Sequence, residues 1–214
     1  CLDNLVKSNH NIIAVITSED KPAGRGQKIK ISEIKKYSIK NKLEILKPRN
    51  LKDSGFLNKI KFLKPDIFVV VAFRMLPKIL WEIPKKGTIN LHASLLPNLR
   101  GAAPIHWAII NGLKETGVST FYINENIDCG EIIEQKKVSI LENENTGELY
   151  NRLKKIGALT ILSTLKKIDK KGFKSIKQKE SKKYLKAPKL NRENTKIDWD
   201  KPSNEVHNFI RGLN

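Results

Sequence analysis

Two polar side chains with complementary chemistry lie two residues apart in the segment TINLHASLLPNLRGAAP, where Asn90 precedes His92. If residues 88–93 form a β-strand, both side chains project from the same face, so the amide lies beside the imidazole. An amide N–H can stabilise a developing oxyanion, and an imidazole changes its charge near neutral pH and can move a proton. The pair therefore predicts acid–base chemistry, although both side chains could instead bond neighbouring loop backbone.

A carboxylate follows a later strand-like stretch, where Asp128 occurs in INENIDCGEII. A loop carboxylate of this kind can orient a histidine and stabilise its charged form. The alternative is a turn residue, because D-x-G is common in turns, and the spacing alone does not bring Asp128 to His92. No Ser or Cys lies in a G-x-S-x-G or Cys/His setting typical of a catalytic nucleophile, so the sequence does not indicate a covalent enzyme intermediate.

Alternating apolar runs and amphipathic stretches surround these residues, a pattern typical of βαβ units and a largely parallel sheet. Near-continuous runs such as DIFVVVAF suit strands that are covered on both faces. In an open α/β sheet ligands bind outside the carboxyl ends of the strands, where Asn90 and His92 would lie. The predicted strands are 12–17, 43–46, 67–71 and 88–93, then GVSTFYIN, and then EIIEQKKVSI as a half-exposed edge or hairpin partner.

Helical spacing predicts crossover helices in LKDSGFLNKIKFLK and MLPKILWEI, a short helix in PIHWAIINGL, and a last helix over residues 203–213. Asn145 and Glu148 form a capping pair at the start of a long helix. This helix should pack on the sheet. Its packing face is predicted from six apolar residues at helical spacing: Leu149, Leu153, Ile156, Leu159, Leu162 and Leu165. Residues 166–189 are rich in lysine and lack a clear period, which indicates a linker or surface stretch.

The length and charge of the chain limit its class. Its 214 residues suffice for one α/β domain but not for two of full size. The net charge of +19 favours encounter with nucleic acid, yet this lysine excess is equally compatible with plain solvation. We expect a cytoplasmic protein, because no apolar run approaches the roughly 18 residues of a membrane-spanning helix and CLDNLVKSNHN lacks the features of a secretory signal. The two cysteines form no metal-ligand cluster, so no metal site is expected.

Three motifs occur in a fixed order: N-x-H at Asn90 and His92, then SLLP, then D-x-G at Asp128. In this order they resemble the folate-dependent formyltransferases. The resemblance implies an α/β fold, a Rossmann-like formyltransferase domain with a mostly parallel sheet and flanking helices. It implies that Asn90, His92 and Asp128 are catalytic and that 10-formyltetrahydrofolate, without a metal, is the formyl-donor cosubstrate. The implied folate-binding residues are Ser94, Leu95, Leu96 and Pro97.

Two further segments, RGAAPI at residues 100–105 and PAGRG at residues 22–26, are similar to those of the family members that formylate methionyl-tRNA. By this resemblance the chain transfers a formyl group to initiator methionyl-tRNA for translation initiation and acts as a monomer. Arg25 would then contact the acceptor end of the tRNA, although a flexible glycine-rich surface loop is the alternative. Two other functions stay open: formylation of a small amine, such as glycinamide ribonucleotide or an amino sugar, and RNA binding by a basic fragment without catalysis.

Family members have a strand before the first helix and a β-barrel-like domain after the position of the final RGLN, and this sequence contains neither. We therefore expect a fragment truncated at both ends. The predicted domains are a formyltransferase catalytic domain over residues 1–172, without its first strand, and a basic linker with a short helix over residues 173–214. The second would lead toward an absent C-terminal domain.

Overall fold

The computed structural model describes residues 1–23, 28–179, 181 and 183–214. The described residues form seven helices and ten strands, so the predicted α/β class is confirmed. None of these helices is both long and apolar enough to cross a membrane. In chain order the elements are α1 (Leu2–Val6), β1 (Val15–Ile16), β2 (Lys21–Ala23), β3 (Lys28–Lys30), α2 (Glu33–Lys40), β4 (Ile45–Leu46), α3 (Ser54–Leu63), β5 (Phe68–Val71), α4 (Lys78–Trp81), β6 (Thr88–His92), β7 (Arg100–Gly101), α5 (Pro104–Ile110), β8 (Glu115–Tyr122), β9 (Ile132–Ser139), α6 (Thr146–Ile168), β10 (Lys186–Ala187) and α7 (Ser203–Leu213).

The chain folds into two compact units, of which the smaller comprises Leu2–Phe68 and Arg74–Gly87. In this unit β1 and β4 pair in parallel, and β2 and β3 form an antiparallel pair. The predicted crossover helix is present as α3, whose first turn is capped by the Asp53 carboxylate accepting from the backbone N–H of Phe56. Capping fixes where α3 begins, because the first amides of a helix have no partner within it.

The larger unit comprises Cys1, Val69–Phe73 and Thr88–Asn214, and it contains a four-stranded sheet in the order β5, β6, β8, β9. Strand β8 runs antiparallel to both β6 and β9. The predicted hairpin partner of GVSTFYIN is therefore confirmed as β9. Parallel pairing occurs between β1 and β4 and between β7 and β10, so the fold combines parallel pairs with an antiparallel portion that carries the sequence motifs.

Helix α6 covers one face of this sheet. The methyl groups of Leu91 on β6 approach Gly157 so closely that a Cβ there would lie 2.7 Å from Leu91 Cδ2, and the hydroxyls of Thr120 and Thr164 are 2.6 Å apart. The predicted packing of the long helix on the sheet is confirmed. The core on this side consists of Leu99, Ala108, Ile109, Val118, Val138, Ile140, Leu149, Leu153 and Ala187.

The predicted packing face of α6 is wrong at Leu159, which is 63% exposed. At about 100° per residue, Leu159 lies about 80° from Leu149 on the side away from Leu153, outside the buried arc. The arc instead continues through Thr160, Ile161 and Thr164. A prediction from apolar residues alone does not include Thr160 and Thr164, although both are buried.

The predicted capping pair of α6 is confirmed, since Asn145 Oδ1 accepts from the Glu148 N–H at 2.9 Å and Glu148 Oε2 accepts from the Asn145 N–H at 3.0 Å. Replacing Asn145 by Ala is expected to lower the free energy of unfolding by about 1 kcal/mol, because an amide of the first turn loses its acceptor. Urea denaturation measures this change. The exposed Asn151 of the same helix provides the control, and equal destabilisation by Asn151→Ala would contradict a capping role.

Residues beyond 172, predicted as a linker, belong to the larger unit and pair with its strands. Ile176 forms an antiparallel bridge with Ile132, and β10 pairs with β7. Ala187 is fully buried, and α7 is tied to α5 by the His106 Nδ1–H, which donates to the Gly212 carbonyl. The predicted domain boundary at residue 172 stays a prediction. Within the larger unit, the lysine-rich stretch contributes a paired strand, β10, and a core residue, Ala187.

Candidate active site

Strand β6 presents the N-x-H motif on one face of the sheet. Because side chains alternate along a strand, Asn90 and His92 share the face opposite Leu91, which packs on α6. Across the ladder Asn90 lies opposite Phe121 and His92 opposite Ser119, so this face continues onto β8. The strand and the common face are both as the sequence predicts.

The His92 ring is buried and is fixed by a hydrogen bond at one of its nitrogens. Nε2 is 2.9 Å from the carbonyl oxygen of Leu99, which can only accept, so Nε2 carries a hydrogen. In the neutral ring Nδ1 therefore has the lone pair. Nδ1 lies 3.7 Å from Asp128 Oδ2, too far for a hydrogen bond but within the distance of an ion pair if the ring is protonated. In this tautomer Nδ1 is the ring nitrogen that is able to accept a proton.

The loop after β8 brings Asp128 to His92, a proximity that the sequence spacing left open. The Asp128 side chain is 13% exposed, and its Oδ2 accepts from the Gly101 N–H at 2.9 Å. Asp128 has a φ of 54°, a left-handed conformation that aspartate tolerates better than most residues. A Cβ at Gly130 would lie 1.6 Å from the Tyr122 carbonyl oxygen, so only glycine allows the loop to return so close to β8.

The Asn90 side chain is half-buried, and its amide has no hydrogen-bond partner within the part of the chain that the structure describes. This differs from His92 and Asp128, both of which bond backbone groups. An unpaired amide on the same face as the His92 ring leaves two N–H donors available. A carbonyl oxygen placed beside His92 could accept from one of them.

Hydrogen bonds to side chains of β8 and β9 fix the SLLP segment. The Ser119 hydroxyl donates to the Ser94 carbonyl at 2.6 Å and accepts from the Leu96 N–H at 3.0 Å. Gln135 Nε2 donates to the Leu96 carbonyl at 2.9 Å and to the Ser119 hydroxyl at 2.8 Å. The SLLP segment begins two residues after His92 and lies against β8 at Ser119, on the face that carries Asn90 and His92.

The four side chains of this segment are not equally exposed. Ser94 is fully buried and its hydroxyl donates to the Asn98 carbonyl, while Leu96 packs against Phe121 and Ile132. Leu95 and Pro97 are half-buried. A ligand on this segment would thus meet the side chains of Leu95 and Pro97, whereas Ser94 and Leu96 serve the packing beneath.

Two backbone groups complete the surroundings of His92 and Asp128, and sequence reasoning missed both: the Leu99 carbonyl and the Gly101 N–H. Backbone groups leave no signature in residue types. The one trace is the glycine of RGAAPI, since Gly101 has a φ of 126° and a Cβ there would lie 2.4 Å from the Ala187 carbonyl oxygen. The predicted tRNA contact Arg25 lies outside the described residues.

The phenol of Tyr122 lies at the end of β8, where the Asp128 loop returns. Burial raises the pKa of this phenol above its ordinary value, and the nearby Glu131 carboxylate raises it further. The phenol therefore stays neutral at physiological pH and adds no charge beside the loop. Among the described residues, His, Cys, Asp and Glu side chains form no group of three or more that could hold a metal ion.

Comparisons with known proteins agree with these motifs. The sequence profile of the formyl transferase family matches residues 1–165. Methionyl-tRNA formyltransferase of Flavobacterium johnsoniae is 51% identical over 212 residues, which are 99% of this chain and 67% of that protein. The same enzyme of Flavobacterium psychrophilum is 52% identical over 213 residues, again 99% of this chain and 67% of the relative. The chain thus spans about two thirds of the length of these relatives.

A solved structure has the same fold. It is the sugar 3N-formyl transferase WlaRD, determined in the presence of dTDP and 5-N-formyl-THF. It superimposes with a TM-score of 0.73 and is 25% identical, covering 99% of this chain and 73% of that chain. The profile and the relatives lead to one assignment: the chain belongs to the formyl transferase family and, within it, to the methionyl-tRNA formyltransferases.

Proposed function

We propose that this chain transfers the formyl group of 10-formyltetrahydrofolate to the α-amino group of methionine carried by initiator tRNA, with Asn90, His92 and Asp128 as its catalytic residues. The observation that carries the proposal is the His92 ring, whose Nε2–H is bonded to the Leu99 carbonyl so that Nδ1 is left basic beside Asp128. The acceptor rests on the two methionyl-tRNA formyltransferases that match 99% of this chain.

His92 acts on the attacking amine. 10-Formyltetrahydrofolate supplies the formyl group as cosubstrate: the amine nitrogen bonds to the formyl carbon, the bond from that carbon to N10 breaks, and tetrahydrofolate leaves. His92 Nδ1 accepts the proton that the amine must lose and can return a proton toward N10. Asp128 stabilises the charged ring from 3.7 Å, and the Leu99 carbonyl holds the tautomer that leaves Nδ1 basic.

Asn90 acts on the oxygen of the formyl group. This oxygen becomes negative as the amine attacks, and a fixed N–H donor stabilises the charge most where it is greatest, in the transition state. The Asn90 amide suits this role because it lies on the same face as His92 and is not bonded to any other described residue. The SLLP segment, Ser94, Leu95, Leu96 and Pro97, provides the folate contacts, and the half-buried Leu95 and Pro97 are the members whose side chains a ligand would meet.

The acceptor can be tested by competition. We expect the full-length protein, supplied with 10-formyltetrahydrofolate, to formylate methionyl-tRNA with a kcat/KM at least about 1,000-fold above that for glycinamide ribonucleotide or an amino sugar, because remote contacts to the tRNA position the amine. Acid-gel or mass-spectrometric detection of formylated products measures both rates. Faster formylation of a small amine would overturn the proposed acceptor, and folate binding without turnover of any acceptor would overturn catalysis.

The proposed reaction also sets the surroundings in which the protein works. Translation begins in the cytoplasm of bacteria, the source of the relatives, and we propose that compartment for this chain. We propose that it acts as a monomer and that Arg25 contacts the acceptor end of the tRNA. The net charge of +19 supports a polyanionic substrate, since it raises the encounter rate with tRNA.

A further inference from the structure

One side chain in the lysine-rich stretch, Gln178, makes four hydrogen bonds to the two segments that surround Asp128. Its Nε2 donates to the Asp128 carbonyl at 2.9 Å and to the Gly130 carbonyl at 2.7 Å. Its Oε1 accepts from Arg100 Nε at 3.1 Å and from Arg100 Nη2 at 2.7 Å. Both ends of the amide are thus used, and they are used on different segments.

These contacts fix the backbone that carries the Asp128 carboxylate. One carbonyl that Gln178 binds belongs to Asp128 itself, and this bond helps to hold its left-handed backbone conformation. Arg100 immediately precedes Gly101, whose N–H donates to Asp128 Oδ2. Gln178 therefore connects the backbone of Asp128 to the residue next to the donor that fixes its carboxylate.

We propose that Gln178 is a positioning residue that holds the Asp128 carboxylate at its distance from His92 Nδ1. This inference rests on the proposed function, in which Asp128 stabilises the charged His92 ring. Gln178 has no hydrogen bond to His92 within the described residues, so its effect on the ring passes through Asp128.

The same stretch also fixes the second partner of His92. The Leu185 carbonyl accepts from the Leu99 N–H at 2.7 Å, and the Leu185 N–H donates to Asn98 Oδ1 at 2.8 Å. Leu99 is the residue whose carbonyl binds His92 Nε2. The lysine-rich segment thus holds the loops on both sides of the ring, with Gln178 as its side-chain contact to the Asp128 loop.

The test compares two replacements of Gln178 in the full-length protein. Gln178→Glu keeps the size and the acceptor for Arg100 but removes both N–H donors to the loop, and Gln178→Ala removes everything. Each is expected to lower kcat for formyl transfer by about 10- to 100-fold, because a displacement of a catalytic group by about 1 Å can lower the rate by that factor. The KM for the formyl donor should change little. The neighbouring exposed Lys179→Ala is the control and should leave kcat unchanged.

A double-mutant cycle separates positioning from general destabilisation. If Gln178 acts through Asp128, Gln178→Ala should change kcat less than about 2-fold in an Asp128→Asn background, while its effect on the melting temperature persists. A full 10-fold loss in both backgrounds, or a wild-type kcat in folded Gln178→Glu, would overturn the positioning role. Wild-type protein is assayed first: if it fails to formylate any acceptor, the proposed function fails, whereas an active wild type with active Gln178 variants rejects this inference alone.

Discussion

Replacing His92 by Ala is expected to lower kcat for formyl transfer by about 100- to 10,000-fold, the range over which a positioned general base accelerates proton transfer. The structural reason is that Nδ1 is the only lone-pair nitrogen of a ring whose Nε2–H is bonded to the Leu99 carbonyl. Rapid-quench formylation of methionyl-tRNA at saturating substrates measures the effect. Folate binding should persist, because the SLLP segment is held by Ser119 and Gln135 and not by His92.

His207 provides the matched control, since it is an exposed histidine on α7. His207→Ala should keep the wild-type kcat. A folded His92→Ala protein within about 3-fold of wild type would remove His92 from the proton transfer.

Replacing Asn90 by Ala is expected to lower kcat by about 100- to 1,000-fold, because the loss of one oxyanion donor typically has this effect. KM for the formyl donor should change much less, since the donor is needed mainly where negative charge develops. The Asn90 amide has no partner among the described residues, so its removal should not lower the melting temperature. Steady-state kinetics with both substrates varied separate kcat from KM.

Asn204 on α7 is exposed and serves as the control for the loss of an asparagine side chain. A change confined to KM in Asn90→Ala would show that the amide binds ground state and transition state equally. In that case Asn90 would be a substrate-binding residue and not an oxyanion donor.

The elements that carry the site were predictable from local patterns. Alternation along β6 predicts that Asn90 and His92 share a face. The Asn145–Glu148 pair, three residues apart in sequence, predicts the start of α6. Each of these signals arises from contacts between residues close in sequence, where propensity and period act directly.

The arrangement around the ring was not predictable in the same way. The Gly101 N–H that binds Asp128 is 27 residues away from it, and Gln178 is 78 residues from Arg100. Strands β7 and β10 have only two residues each and leave no periodic signal. Family resemblance supplied Asp128 as a catalytic residue, but it is the tertiary fold that joins Asp128 to a lysine-rich stretch with no pattern of its own.

The most direct test of the central claim is single-turnover formyl transfer to methionyl-tRNA by the wild-type protein and by the folded Asn90→Ala, His92→Ala double variant. If the claim holds, the wild type forms formylmethionyl-tRNA, and the double variant forms it at a rate at least about 10,000-fold lower, with folate binding by calorimetry retained in both. Formyl transfer at the wild-type rate by the double variant would contradict it.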